Sequence, residues 1–219
     1  MLPRRAAVLA RRIVSSRVRY NTPMAADRKP PDPTRRSERS RQAILTAATD
    51  LVGEVGYTKL TVEAIAARAG VGKQTIYRWW PDKGAVLLDA YLALVGAEQG
   101  LTFPDSGDLE ADLRLVLGFT VDSLADPVFE QRYRALLTAI QDDPKLAAAL
   151  LDRLLKPWLE ATKQRLRTAQ RAGQIRNADL NVAAELLYGP VYYRWLLRTG
   201  PISRQYVDAV VAMTLRALT

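Results

Sequence analysis

The 219-residue chain contains no histidine and no cysteine, which removes Ser–His triads, thiol catalysis, disulfides and zinc sites built on those ligands. Its formal net charge is +9, but residues 1–41 hold 12 Lys+Arg against 3 Asp+Glu while the remainder holds 20 of each, so the bulk of the protein is neutral. Apolar residues make up 48% and no apolar run approaches the ~18–20 residues of a membrane span, so we expect a soluble, cytoplasmic protein without metal or cofactor.

Residues 1–23 carry six arginines and no acidic group. Three readings stay open for them: an upstream start assignment with translation from Met24, a basic arm, or an amphipathic transit peptide. Met24 to Thr34 has three prolines and no apolar period, so residues 1–34 are expected to be a disordered basic tail. Arg35, Arg36, Arg39 and Arg41 then lead into the first helix, either as an arm for a minor groove or as a solubilising segment. That helix is predicted from near Ser37 to Val55. Ile44, Ala48, Leu51 and Val55 form its core stripe, with Leu45 and Val52 beside it, and Gly56-Tyr57 turns the chain.

The stretch Thr61 to Lys83, TVEAIAARAGVGKQTIYRWWPDK, reads as two short helices around a glycine-marked turn. Thr61 is placed to N-cap the first, and Val62, Ile65, Ala66 and Ala69 give it one buried stripe. Gly70 suits the left-handed residue that ends it. On the second helix, Lys73 to Trp80, the side chains of Lys73, Gln74, Tyr77 and Arg78 share one side; Thr75, Ile76, Trp79 and Trp80 take the other. Two cations, an amide and a phenol suit phosphate oxygens and base edges in a major groove. Pro81 stops the helix, Asp82 caps the next, predicted over Asp82–Glu98 with Val86, Leu87, Ala90, Tyr91 and Leu94 buried, and Lys83 stands at its N-terminus.

The segment from about Arg35 to Leu94 resembles the N-terminal domain of TetR-type transcriptional regulators, in ILTAATDLVGEVGY, LTVEAIAARAGV and KQTIYRWWPDKGAVL. The resemblance implies an all-α protein: a three-helix DNA-binding domain on a larger helical domain that dimerises and often binds a small effector. The DNA-binding domain is expected over residues 35–99 and the effector-binding and dimerisation domain over 107–219. The expected DNA-contacting residues are Thr61, Lys73, Gln74, Thr75, Tyr77, Arg78, Trp79 and Lys83, on double-stranded operator DNA. Two positions depart from the family pattern: Gly72 stands where Ser is common before the recognition lysine, and Arg78-Trp79 follows the recognition tyrosine. With a bacterial-type regulator following, a start at Met24 is the preferred reading of residues 1–23.

Gly100 to Gly107 is the strong interior break. Beyond it, helices are predicted over 109–125, 127–141, 144–155, 157–172, 180–198 and 203–218, three of them opened by Asp-Pro or Lys-Pro signals. In the 180–198 helix Val182, Leu186, Tyr193 and Leu197 form one apolar stripe and Ala183, Leu187, Val191 and Trp195 another. The last helix is also apolar over more than half its circumference. One side of this pair is expected on its own core and the other on a second copy, with Leu186, Val207 and Val210 at the homodimer interface. Gly189-Pro190 interrupts the first of them, for close packing or for a shaped cavity. Phe119, Tyr133, Trp158 and Tyr192, with Phe129 and Trp195, are candidates to line the site of a small apolar effector, or plain core. The rival readings are a helical enzyme and a sequence-independent architectural protein. The first lacks paired carboxylates, a phosphate loop or a metal cluster in the sequence, and the second is disfavoured by the neutral bulk.

Overall fold

The computed structural model describes residues 33–96 and 103–219, with side chains from Ser37 onward. The expected disordered tail over 1–32, including all three readings of residues 1–23, lies outside the described residues, as do 97–102. Among the described residues every regular element is helical: α1 (Pro33–Val55), α2 (Val62–Ala69), α3 (Lys73–Tyr77), α4 (Lys83–Val95), α5 (Leu109–Ala125), α6 (Pro127–Asp142), α7 (Pro144–Leu150), a π-helical turn (Leu151–Leu155), α8 (Lys156–Arg171), α9 (Leu180–Leu197) and α10 (Arg204–Leu218). They fall into two compact units that are not contiguous in sequence. Of the described residues, one takes 33–96 together with Gln131–Leu150; the other takes 103–130 with Leu151–Thr219.

In the first unit α1 begins at Pro33, so Pro33 and Thr34, expected in the tail, are helical instead. Proline is well suited to a first helical turn, where its missing N–H has no partner to lose. Ile44, Leu45, Ala48, Leu51 and Val52 are buried as their spacing predicts, whereas Val55 is exposed. Val55 is the last residue of α1, and the chain turns away at Gly56 in the left-handed region (φ 77°) before the stripe can be covered. Helix α4 packs on both α1 and α7. That explains why Leu88 and Leu92 are buried along with the expected Val86, Leu87, Ala90 and Tyr91, while Leu94, near the helix end, is only half-buried. The 131–150 segment is tied in by specific contacts. Gln131 Nε2 donates to Gly53 O at 2.7 Å, Arg132 pairs with Asp50 at 2.9 Å, and the Tyr57 hydroxyl donates to Asp143 at 3.0 Å. Tyr133 stacks on Tyr91 with centroids 5.0 Å apart.

The second unit packs α5, α8, α9 and α10 around Leu113, Leu117, Leu166, Leu187, Val191, Val207 and Val211. Asp108, Asp179 and Ser203 each accept a hydrogen bond from the first turn of α5, α9 and α10. The two helices predicted over 144–155 and 157–172 take a different form, with a π-helical turn before α8. Pro157 offers no N–H to the carbonyl four residues back and its ring collides with that carbonyl; π spacing in the preceding turn relieves both problems.

Both apolar stripes of α9 are real, and they have opposite fates. Ala183, Leu187, Val191 and Trp195 are buried in the unit's own core, while Val182, Leu186, Tyr193 and Leu197 are 51%, 44%, 60% and 61% exposed. On α10, Val207 and Val210 are buried within the chain, so their expected place at a dimer surface is corrected; the outward apolar side chain there is Met213. Pro190 sits inside α9, its carbonyl accepting from the Tyr206 hydroxyl at 3.3 Å. Among the described residues a Cβ at Gly189 would meet nothing within 4 Å, so close packing among them does not account for that glycine.

Candidate nucleic-acid interface

Helix α2 is framed by its caps. Thr61 Oγ1 accepts from Ala64 N–H at 3.1 Å, and Gly70 (φ 66°) closes the other end, where the Val71 N–H reaches Ala66 O at 3.0 Å. Helix α3 is shorter than the predicted Lys73–Trp80. After Tyr77 the chain tightens: Trp79 N–H and Trp80 N–H both bond to Ile76 O, at 2.9 and 3.0 Å. The residue before a proline is biased away from helix, so Pro81 ends α3 early.

The division of faces holds nonetheless. Ile76 and Trp80 are buried, each worth about 2–3 kcal/mol as an anchor. Thr75 and Trp79 are half-buried, and Lys73, Gln74, Tyr77 and Arg78 are exposed together on the outward side. Trp80 Nε1 donates to Asp89 at 2.8 Å, so the buried indole has its polar partner. Trp79 stacks on Trp80 at 5.7 Å, and the guanidinium carbons of Arg78 and Arg41 each lie 5.9 Å from the Trp79 ring. Arg41, inside the predicted span of the first helix, lies beside the recognition helix, with Glu38 and Asp89 at 3.6 and 3.8 Å.

Two of the expected phosphate ligands already hold protein partners. Lys83 Nζ donates to the carbonyls of Tyr57 and Leu60, both at 2.9 Å, and lies 4.4 Å from the Tyr57 ring centre. It clasps the α1–α2 turn and keeps one of three N–H donors. Lys73 Nζ donates to Glu63 Oε1 at 2.9 Å across an exposed pair. That hydrogen bond holds the Glu63 carboxyl below its ordinary range and the Lys73 ammonium above its own. Glu63 went unnoticed in the sequence because ten positions separate it from Lys73, beyond any helical neighbour rule.

The candidate effector residues are divided between the two units. Tyr133 belongs to the first unit, whereas Phe119, Trp158 and Tyr192 belong to the second. Trp158 meets Tyr188 edge-on at 6.5 Å, and Tyr192 meets Trp195 at 6.1 Å. Thr162, not singled out from sequence, donates to Trp158 O at 3.1 Å and pairs with the Tyr188 hydroxyl at 2.9 Å. Burial pushes the Tyr188 phenol up to about 12. Among the described residues there is no cluster of three acidic or metal-ligating side chains, and no helix long and apolar enough to cross a membrane.

Two short helices about a left-handed glycine, the second anchored by Ile76 and Trp80 and showing a polar-basic face, constitute the helix-turn-helix of a DNA-binding regulator. Comparison with known proteins gives the family. Residues 44–90 match "Bacterial regulatory proteins, tetR family", and residues 103–214 match "Tetracyclin repressor-like, C-terminal domain". The HTH-type transcriptional regulator YdeS of Bacillus subtilis (strain 168) is 36% identical over 80% of this chain and 88% of its own. A DNA-binding transcriptional repressor TetR of Mycobacteroides abscessus is 29% identical over 80% and 92%. The crystal structure of the TetR-family regulator SCO0332 superposes with a TM-score of 0.65 at 35% identity, covering 83% of this chain and 99% of that one. The chain belongs to the TetR family of transcriptional regulators.

Proposed function

We propose that the protein is a cytoplasmic, homodimeric repressor whose paired α3 helices enter successive major grooves of a palindromic operator, and which a small effector releases. The observation that carries this is the α3 face: Lys73, Gln74, Tyr77 and Arg78 exposed together over the buried Ile76 and Trp80. Gln74 and Arg78 read base edges, for which an amide and a guanidinium have the bidentate geometry. Lys73 and Tyr77 take phosphates. Thr61 uses its hydroxyl proton, free because its oxygen is the cap acceptor, and Lys83 uses its one remaining N–H. Thr75 and Trp79 border that face and support it.

The second copy is supported by the outward stripe of α9. Four apolar side chains at helical spacing, all more than two-fifths exposed, make a face that water alone serves poorly. Repression is the action named for the Mycobacteroides abscessus relative. The effector reading draws on the aromatic groups of the second unit, around Phe119, Trp158 and Tyr192, and on Tyr133 of the first; such a ligand acts by its differential affinity for the DNA-binding and released states.

Selection of bound fragments from genomic DNA with the full chain tests the reading. Enriched sites should share an inverted repeat with half-site centres about one helical turn, ~34–36 Å, apart. Enrichment without a shared sequence would favour an architectural protein, and no enrichment would end the proposal.

A further inference from the structure

The core of the second unit keeps one ion pair out of water. Arg165 on α8 and Asp112 on α5 have side chains only 2% and 3% exposed. Arg165 Nε donates to Asp112 Oδ2 at 2.7 Å, and Asp105 Oδ1 lies 3.4 Å from the same nitrogen. Asp112 also accepts from the Ser106 N–H at 3.1 Å. The Nη2 nitrogen of Arg165 is buried and finds no hydrogen-bond partner among the described residues. A well-packed apolar pair of similar volume serves stability as well as a buried ion pair or better, so stability does not account for an unspent donor.

We propose that Arg165 Nη2 is the polar anchor of the effector site, donating to an uncharged acceptor oxygen, such as a ketone, ester or amide carbonyl, on an otherwise apolar ligand. This rests on the effector-released reading above. The donor does not stand alone: Trp158, Thr162, Arg165 and Ala169 follow one another on a single face of α8, and Tyr188 of α9 packs against the first two. Thr162 and Tyr188 satisfy each other, which leaves the guanidinium nitrogen as the face's unspent donor. The ligand is uncharged because Asp112 and Asp105 already balance the guanidinium. A carboxylate would bring a second uncompensated negative charge into a buried place.

The test uses the full chain and matched probes: methyl ketones of naphthalene, biphenyl and a long alkyl chain, each beside the alkene with C=CH2 in place of C=O, and beside the carboxylate. Affinities come from calorimetry or tryptophan quenching, and operator release is followed in parallel. At least one ketone should bind about 10- to 100-fold tighter than its alkene and its carboxylate. Arg165→Lys keeps a cation for Asp112 but has no second nitrogen, so it should erase that preference and leave alkene affinity in place. A double Asp112→Leu, Arg165→Met variant, in which no charge is stranded, should do the same. Ketones and alkenes that bind alike and release the operator would overturn the anchor while sparing the effector reading. Tightest binding by carboxylates, or a ketone preference that survives both variants, would also overturn it. If no probe binds and the operator is never released, the anchor and the effector reading fall together.

Discussion

The outward faces of α3 and α9 are built alike and differ only in chemistry. Each helix is fixed by a buried inner stripe, Ile76 with Trp80 in one case and Ala183, Leu187, Val191 and Trp195 in the other. Each then presents side chains that the described residues leave exposed. On α3 these are two cations, an amide and a phenol; on α9 they are Val182, Leu186, Tyr193 and Leu197. The inner stripe sets where the outer one points, and in the proposed reading the outer chemistry selects the partner: a hydrated polyanion for the first, another apolar surface for the second.

The comparison breaks most easily at α3. Replacing Lys73, Gln74, Tyr77 and Arg78 together by alanine should cost more than about a thousandfold in operator affinity, since a good bidentate base contact alone contributes roughly 1–3 kcal/mol. Because all four are exposed, the melting temperature should barely move. Native affinity in electrophoretic titrations of this variant would refute the face. The next effect is at α9. Glutamate at both Leu186 and Tyr193 should give a folded monomer by sedimentation, with operator binding weakened through loss of the dimer. Glutamate at Val207, buried in the chain's own core, should instead lower the urea midpoint by an amount equivalent to ~3 kcal/mol or more. If the Val207 variant is stable and monomeric while the α9 variant stays dimeric, the two faces of the hairpin have been assigned the wrong way round.

The smallest effect sharpens the first unit, on which α3 stands. The Leu146 N–H, foremost, and the Tyr57 hydroxyl hold the Asp143 carboxyl below its ordinary range. A depressed folded-state value contributes stability that is present above the unfolded carboxylate pKa of about 4 and is lost as pH falls through the folded value. Asp143→Asn should therefore flatten the acid limb below about pH 4 and leave its slope near neutrality unchanged. Urea unfolding from pH 6 to pH 2.5 measures it; an acid limb unchanged in the variant would show that other carboxylates set it.

What was legible in the sequence was local. Thr61, Gly70, Asp82 and the α9 stripes act within one or two turns, and spacing alone reveals them. What spacing does not reveal are partners distant in sequence and adjustments of the backbone. The hold of Lys83 on carbonyls 23 and 26 positions back has no periodic signature. The Asp112–Arg165 pair spans 53 positions, and the attachment of 131–150 to the first unit depends on bonds to Gly53, Asp50 and Tyr57. Pro157 announced a helix start; that its neighbours would widen into a π turn is a packing outcome with no residue code of its own.

The contact between Glu63 and Lys73 also bears on how ionic strength governs binding. Cationic side chains that neutralise DNA phosphates release condensed counterions, at about 0.9 per phosphate in the slope of log affinity against log salt. Lys73 arrives with a carboxylate 2.9 Å away, so its charge reaches the phosphate cancelled unless that pair opens. The wild-type slope should then fall short of the number of basic contacts by about one per half-site. Glu63→Gln frees the lysine, steepens the slope by that increment and tightens binding most at low salt, while the two proteins converge as salt rises. If Lys73 takes a phosphate as proposed, the Glu63 carboxylate competes with the operator for that lysine, and it is a competitor that travels with the protein and does not dilute.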